Sequence, residues 1–315
     1  MIQEKDKSTS IVIPVYNSQD SLAILVSRIG PVLANACRAF EAIFVNDCSS
    51  DNSWNQIKDL TGKYPWVVGI DLMRNYGQHN ALLCGIRRAR YDIIITMDDD
   101  LQNPPEEIPV LLSKLDEGFD VVYGVPQKQQ HGLLRNFASW ITKKVLQKTM
   151  GVPDAINISA FRAFRSQLKH AFTGYHGPYV SIDVLLTWGG RRFTSVVVRH
   201  DPRSAGKSNY KLSKLIIHAL NMITGFTVLP LQAVIVLGFL MTMFGLGILL
   251  YVLLRYILQG SDVPGFTFLA SIIAIFSGAQ FFALGIIGEY LARMHFRTMG
   301  QPAYKIRAES SQIKK

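Results

Sequence analysis

Two long apolar blocks near the C-terminus limit what this chain can fold into more than any other feature. Only Gln232 and Thr242 interrupt the first block, residues 231–254, and four polar residues interrupt the second, residues 266–287. As helices, these blocks would span roughly 33–36 Å, enough to cross a bilayer core of about 30 Å. The alternative is a pair of buried core helices, but core helices of this length usually carry a polar stripe. We therefore expect a membrane hairpin of two helices.

The charges around this hairpin predict its orientation. The linker "ILQGSDVPG" contains no Lys or Arg, whereas basic residues flank the two blocks: Lys207, Lys211, Lys214, Arg293, Arg297, Lys305 and Arg307. Because basic flanks stay in the cytoplasm, we expect both termini there and the hairpin tip outside. The opening "MIQEKDKSTS" is charged and has no apolar region, so we expect no signal peptide. We assign the net charge of +10 to contacts with anionic lipid and phosphate, and not to nucleic acid.

The first 200 residues alternate short β-branched runs with helical patterns. The helical patterns cover residues 20–36, 78–89 and 106–117. The short runs are residues 10–16, 41–47, 67–72, 92–98, 120–125 and 194–200. This alternation predicts an α/β fold with a mostly parallel sheet packed between helices. In such sheets, ligands bind beyond the carboxyl ends of the strands.

Polar residues stand at the ends of three of these runs. Asn17 follows the first run, Asp47 ends the second, and the triplet "DDD" at residues 98–100 ends the fourth. Carboxylates this close repel one another unless a cation lies among them, and hard oxygen ligands suit Mg²⁺ or Mn²⁺. We therefore predict a metal site that holds a phosphorylated substrate. The alternative is an acidic N-cap for the helix after Pro104 and Pro105, but a cap needs one aspartate and not three.

Several sequence motifs resemble a known family. The segments "TSIVIPVYNSQDS", "VNDCSSDNS", "RNYGQHNAL" and "TMDDDLQNPPEEIP" resemble the family 2 glycosyltransferases with the GT-A fold. They resemble most the polyprenyl-phosphate glycosyltransferases, a group that includes dolichyl-phosphate mannose synthases, bactoprenol glucosyltransferases and undecaprenyl-phosphate aminoarabinose transferases. The resemblance covers nearly the whole chain, including "HDPRSAGKSNYK" and the ending "GEYLARMHFRTMGQPAYKI".

The resemblance implies a donor site at these strand ends. Asp98 and Asp100 would form the DxD pair, the first near the ribose and the second on the metal, with Gln102 as a further metal-site residue. Asp99 stands where relatives often carry a small residue, and we interpret it as a solvated loop carboxylate. The positions implied to bind the donor nucleotide are Pro14, Tyr16, Asn17, Asp47, Arg74, Asn75, Gly77 and Asp98.

The implied reaction is attack of a lipid phosphate oxygen on the anomeric carbon of the sugar. The residues implied to be catalytic are Asp98, Asp100, Arg162 and Arg203. Some relatives carry Asp-Phe-Arg where this chain has "AFR", so Ala160 replaces the aspartate and we assign no general base. A phosphate is already anionic at neutral pH and needs little help from one.

The acceptor phosphate requires cations at the membrane surface. The segment "HDPRSAGKSNYKLSK" supplies the predicted acceptor site, namely Arg203, Lys207, Ser208 and Lys211. We favour phosphate binding for Arg203, since arginine forks match phosphate oxygens. The alternative, a basic flank attracted to lipid headgroups, stays open for Lys211 and Lys214.

These features predict a cytoplasmic domain followed by a membrane hairpin. The expected boundaries are a catalytic domain over 1–208, a juxtamembrane interfacial helix over 209–228, transmembrane helices over 229–258 and 266–290, and a cytoplasmic tail over 291–315. Apolar and basic residues at helical spacing over 133–150 predict another interfacial helix, although packing on the domain is an alternative. Glycines in the hairpin could pack within a protomer or between copies, so a homo-oligomer stays open.

Together, the residues and the resemblance predict an enzyme of the inner membrane. It would transfer a sugar from a nucleotide sugar, UDP-linked in our interpretation, to a polyprenyl phosphate such as undecaprenyl phosphate. The product would serve cell-envelope glycan or lipopolysaccharide modification. Alternatives are a transferase acting on another lipid or polysaccharide, a metal-dependent nucleotidyltransferase, and a non-catalytic scaffold. The sequence does not identify the sugar.

Overall fold

An eight-stranded sheet organises the chain before the apolar blocks. This computed structural model describes residues 7–126, 158–177, 180–201, 229–259 and 265–312. The strands are β1 (Ser8–Val15), β2 (Ala39–Asn46), β3 (Val67–Leu72), β4 (Ile93–Thr96), β5 (Val121–Pro126), β6 (Arg162–Arg165), β7 (Phe193–Val198) and β8 (Ile306–Ser311). Their order across the sheet is β7-β5-β6-β4-β1-β2-β3-β8. Only β6 and β8 run antiparallel to their neighbours, so the predicted α/β fold with a mostly parallel sheet is confirmed.

Helices cover both faces of this sheet. They are α1 (Gln19–Ala36), α2 (Ser53–Lys63), α3 (Gln78–Arg88), α4 (Ile108–Asp116) and α5 (Ile182–Thr187). Successive strand residues point to opposite faces, so Ile11 and Ile13 join the core under α1, α2 and α4. Val12, between them, joins the core under α3 and α5. The β-branched strands are therefore buried on both faces, as parallel strands require.

Two strands of the sheet were not predicted from the sequence. Strand β6 is the short segment "RAFR", which enters between β4 and β5 and buries Ala163 and Phe164. Strand β8 lies in residues 291–315, the region predicted to be a cytoplasmic tail, and it pairs with β3 at the edge of the sheet. Both strands are short and carry charged residues, so neither has a strong local pattern.

Two long apolar helices follow in the chain. They are α6 (Leu229–Gln259) and α7 (Phe266–Thr298), which confirms the two apolar C-terminal helices of the prediction. Pro230–Leu258 and Ile275–His295 are long and apolar enough to cross a membrane, with mean hydropathies of 2.5 and 1.4, and the most apolar part of each helix is not buried in protein. The chain divides into two units, Met1–Lys211 with Gly300–Lys315 and, separately, Leu212–Met299. The predicted interfacial helices over 133–150 and 209–228 lie outside the described residues.

Candidate active site

The carboxyl ends of three adjacent strands carry the predicted site residues. Strand β1 pairs with β2 on one side and with β4 on the other, all parallel, so their final residues lie along one edge. Each following loop contains one non-glycine residue with a left-handed backbone: Asn17 (φ 53°), Cys48 (φ 57°) and Leu101 (φ 62°). These are the only such residues in the part of the chain that the structure describes. Strained backbone of this kind concentrates at functional sites.

The loop after β1 is tied to the loop after β2. The side-chain oxygen of Asn17 accepts the backbone N–H of Ser50 at 2.8 Å, and the N–H of Asn17 donates to Ser49 Oγ at 3.0 Å. Tyr16 is exposed at this edge, whereas Pro14 is buried within β1. Of the predicted residues in β1 and the loop after it, Tyr16 and Asn17 are therefore exposed at this edge of the sheet, called the open edge below, whereas Pro14 is buried.

Asp47 holds the turn that contains the predicted residues 74–77. Its two carboxylate oxygens accept the backbone N–H groups of Tyr76 and Gly77 at 2.7 and 2.8 Å. Burial raises the pKa of Asp47, although these two hydrogen bonds oppose the increase. Arg74 is exposed on the same turn, with its guanidinium carbon 4.7 Å from the ring centroid of Tyr76. The turn therefore presents a cation at the open edge while Asp47 fixes its backbone.

The loop after β4 carries Asp98, Asp99 and Asp100 and is called the aspartate loop below. Hydrogen bonds from α3 and from within the loop hold it in place. Asp98 Oδ1 accepts the side-chain amide of Gln78 at 2.7 Å, and Asp100 Oδ1 accepts the backbone N–H of Gln102 at 3.1 Å. Gln78 is the first residue of α3, and sequence reasoning missed it. Its position directly after the turn of residues 74–77 was the signal that could have indicated it.

Asp99, interpreted from the sequence as a solvated loop carboxylate, is half-buried. Burial raises its pKa, against hydrogen bonds from the Ser18 hydroxyl and the Tyr16 N–H, and the nearby Asp100 carboxylate raises it further. The Tyr16 N–H donates to Asp99 Oδ2 at 3.3 Å. Asp99 therefore links the aspartate loop to the end of β1.

The carboxylate and amide oxygens at this edge fit a hard divalent cation that takes most of its ligands from water and phosphate. Among the described residues, no three His, Cys, Asp or Glu side chains form a group that could hold a metal ion. Mg²⁺ commonly uses only one or two protein carboxylates and fills its shell with water and phosphate oxygens. Asp100, half-buried on the loop after β4 with the half-buried Gln102 two residues on, falls within that number.

Arg162 lies inside the sheet domain. It is 2% exposed, forms an ion pair with Asp183, and donates from Nε to Thr96 Oγ1 at 3.0 Å. The Tyr123 hydroxyl also donates to Asp183, at 3.1 Å, and burial raises the pKa of Tyr123 well above its ordinary value. The contacts of Arg162 thus support the strand that leads to Asp98, two residues after Thr96.

The start of the predicted acceptor segment lies beside the aspartate loop. The backbone N–H of Asp201 donates to the Gln102 carbonyl at 2.9 Å, and His200 Nδ1 lies 3.3 Å from Asn103 Oδ1. The acceptor residues themselves follow directly and lie outside the described residues: Arg203, Lys207, Ser208 and Lys211.

Comparison with known proteins identifies relatives over almost the whole chain. The family model described as Glycosyl transferase family 2 matches residues 10–172. The undecaprenyl-phosphate 4-deoxy-4-formamido-L-arabinose transferase of Shewanella sediminis is 37% identical over 300 residues, covering 94% of this chain and 91% of the relative. The protein of the same name from Yersinia enterocolitica is 37% identical over 306 residues, covering 96% of this chain and 94% of the relative.

The solved structures that match this chain are more distant in sequence. The glucosyl-3-phosphoglycerate synthase of Mycobacterium tuberculosis, crystallised with Mn²⁺, uridine diphosphate and glucosyl-3-phosphoglycerate, is 18% identical with a TM-score of 0.49. The match covers 69% of this chain and 78% of the synthase.

Proposed function

This chain is a glycosyltransferase of family 2, and from that premise we propose that it transfers a sugar from a UDP-linked donor to undecaprenyl phosphate. The observation that carries this proposal is the 37% identity to undecaprenyl-phosphate 4-deoxy-4-formamido-L-arabinose transferases over 94% of the chain. A match of that extent includes the two apolar helices as well as the sheet domain. The product would be a sugar linked to the lipid through one phosphate, for use in lipopolysaccharide or other cell-envelope glycans.

The chemistry follows from the charges at the open edge. A phosphate oxygen of the lipid attacks the anomeric carbon, and the bond from that carbon to the nucleoside diphosphate breaks with its electron pair. Because the attacking phosphate is already ionised, the presence of Ala160 at the position of an aspartate in some relatives removes nothing that the reaction requires. We assign Arg74 to the donor diphosphate, since it is an exposed cation on a turn that Asp47 fixes.

We assign the remaining donor contacts to the strand-end loops. Tyr16, Asn17 and Asn75 are exposed there and would contact the nucleoside. Asp98, fixed by Gln78, would face the ribose, and Asp100 with Gln102 would hold Mg²⁺ or Mn²⁺. When bound, such an ion stabilises the negative charge that develops on the departing diphosphate.

The acceptor would be bound by the segment after Asp201. Because Asp201 is anchored to Gln102 by a backbone hydrogen bond, this segment begins beside the proposed metal site. Arg203 would bind the lipid phosphate with its fork of donors, and Lys207, Ser208 and Lys211 would complete the contact. We place the enzyme in the inner membrane, with α6 and α7 crossing it and both termini in the cytoplasm.

Transfer of radiolabel from a nucleotide sugar into an organic-extractable lipid tests this function. The purified full chain would be assayed with undecaprenyl phosphate, Mn²⁺ and a panel of UDP-sugars, beginning with the formamido-arabinose donor that the relatives' names indicate. We expect labelled lipid and an equal amount of UDP. Pyrophosphate release would instead indicate a nucleotidyltransferase, and turnover only with another lipid or a glycan would reject the acceptor.

The first prediction concerns Asp100 in this assay. Asp100→Asn removes one charged ligand from an ion that bridges to diphosphate, so transfer should fall at least about a hundredfold. Asp59→Asn, the same change on the exposed face of α2, should leave the rate unaltered and serves as the control. Wild-type turnover by Asp100→Asn at saturating Mn²⁺ would remove Asp100 from the metal site.

A further inference from the structure

Arg307 stands at an irregular position in the last strand of the sheet. Strand β8 pairs antiparallel with β3, with Asp71 opposite Ala308 and Leu72 opposite Ile306. Arg307 is therefore the extra residue of a bulge between these two pairs. A β-bulge re-aims the side chain that it carries, and here the side chain turns toward the loops at the carboxyl ends of β2 and β3.

The guanidinium of Arg307 binds a backbone carbonyl and a carboxylate just before the turn of residues 74–77. Nη2 donates to the Met73 carbonyl at 2.7 Å, and Nη1 lies 3.4 Å from Asp71 Oδ2. The backbone N–H of the same residue, Met73, donates to the Lys305 carbonyl at 2.9 Å. Met73 thus has both backbone polar groups bound by the segment that follows α7, and Arg74 is the next residue.

Asp71 connects Arg307 to the end of β2, where the next loop begins. Its carboxylate is buried, and its second oxygen accepts the side-chain amide of Asn46 at 2.7 Å. Asn46 directly precedes Asp47, which holds the N–H groups of the turn at the other end. Cys48, in the loop after β2, contacts the same two groups: its Sγ lies 3.9 Å from Arg307 Nη2 and 4.0 Å from the Met73 carbonyl.

We propose that Arg307 is a positioning residue for the donor site, which fixes the loops after β2 and β3 relative to each other through Asp71 and Met73. This inference rests on the proposed function, because it takes these loops as the donor-binding surface. Arg307 touches no substrate in this proposal. It acts through a buried carboxylate, which holds its position only when an opposite charge compensates it.

Removing Arg307 should weaken donor binding and leave acceptor binding unchanged. Arg307→Ala removes the hydrogen bonds to the Met73 carbonyl and the charged Asp71 carboxylate, and the longer one to Cys48 Sγ, so we expect the Kd for UDP with Mn²⁺ to rise about five- to tenfold. The KM for undecaprenyl phosphate should stay the same. Arg307→Lys should recover only part of the loss, because a single ammonium cannot reach Asp71 and Met73 in the same fork geometry.

Glu309 provides a matched control on the same strand. Its carboxylate lies 3.8 Å from Arg88 Nε on α3, and within the described part of the chain it has no hydrogen bond or ion pair with either loop of the donor site. Glu309→Gln should bind UDP as the wild type does. If Glu309→Gln lost as much UDP affinity as Arg307→Ala, the effect would belong to β8 as a whole, and the assignment to Arg307 would be overturned.

The experiment combines calorimetry with thiol labelling of the full chain in detergent. Cys48 is half-buried, whereas Cys37 and Cys84 are buried, so alkylation under native conditions should report Cys48 first. We expect Arg307→Ala to raise both the Kd for UDP and the rate of Cys48 alkylation. If the wild type binds UDP and Arg307→Ala matches it in both measurements, Arg307 has no positioning role and the proposed function stands. If the wild type binds no nucleoside diphosphate in a panel with Mn²⁺, the donor assignment fails and this proposal fails with it.

Discussion

At the scale of single residues, the candidate site depends on backbone conformations that most side chains avoid. Asn17, Cys48 and Leu101 each have positive φ, and each follows the end of a strand at the open edge. Gly77 extends the pattern with φ of 90° and ψ of 156°, a region that glycine alone populates readily. Gly77 has this conformation in the turn whose Tyr76 and Gly77 N–H groups donate to the Asp47 carboxylate.

Gly77→Ala tests this conformation directly. An added Cβ at Gly77 would meet no atom within 4 Å, so the substitution acts through backbone strain alone. We expect a loss of about 1–3 kcal/mol in stability and a weaker affinity for UDP, since the turn would relax away from Asp47. Calorimetry and thermal unfolding measure the two effects.

Gly62→Ala serves as the control because its Cβ also meets open space and Gly62 lies in α2 with ordinary helical geometry. That variant should be neutral or slightly more stable, since alanine favours helix. Equal melting temperatures for Gly77→Ala and the wild type would contradict the strain argument.

At the scale of elements, the carboxylate of Asp120 links the start of β5 to the start of β7 by hydrogen bonds. Asp120 accepts the backbone N–H groups of Arg191 and Arg192 at 3.1 and 3.0 Å and the Arg192 guanidinium at 2.9 Å. Burial alone would raise the pKa of Asp120, but the hydrogen bonds from Arg192 and Arg191 outweigh it and lower the pKa below its usual value. The register of β7 against β5 thus depends on a charged group.

Asp120→Asn should therefore have a pH-dependent cost. A depressed pKa in the folded state stabilises the fold above the unfolded-state pKa of about 3.9 and loses that effect as pH falls through the folded value. We expect wild type to exceed Asp120→Asn by about 1 kcal/mol at pH 6, a small figure because Arg192 is largely exposed, and the difference to shrink below about pH 4. Urea unfolding followed by tryptophan fluorescence measures it, with Asp59→Asn as the control. A difference that stays constant as the pH is lowered from 6 to about 2 would reject the electrostatic cause.

At the scale of the whole molecule, β8 restricts how the apolar helices can cross a bilayer. The strands before α6 and the strand after α7 belong to one sheet. Helices that cross a bilayer here must return the chain to the side where this sheet lies, so we expect α6 and α7 to cross it once each. The basic residues on both flanks agree with a cytoplasmic position for that sheet.

Cysteine accessibility in intact cells tests this topology. We expect Ser261→Cys, in the segment between α6 and α7, to react with a membrane-impermeant maleimide added outside. Gln312→Cys, just after β8 and exposed, should react only after the cells are permeabilised. The parent protein gives the background from its native cysteines. Labelling of both added cysteines from outside would overturn the hairpin.

The sequence by itself determined the features that local patterns encode. Alternating β-branched runs and helical patterns specified six of the eight strands in the sheet, and a parallel sheet necessarily brings Asn17, Asp47 and Asp98 to one edge. The length and apolarity of the C-terminal blocks specified α6 and α7 in the same way. These properties depend on residues close together in the chain.

Only the tertiary structure decided which polar groups form hydrogen bonds and ion pairs with one another. Arg162 forms an ion pair with Asp183, and Asp99 accepts a hydrogen bond from the Tyr16 N–H. Arg307 donates to Asp71, although the two residues are 236 positions apart in the sequence. Such pairs form because a buried charge must find a partner, and the partner is whichever group the register of the sheet places beside it. Strands β6 and β8 escaped prediction for the same reason: their stability comes from β4, β5 and β3, and little of it from their own residues.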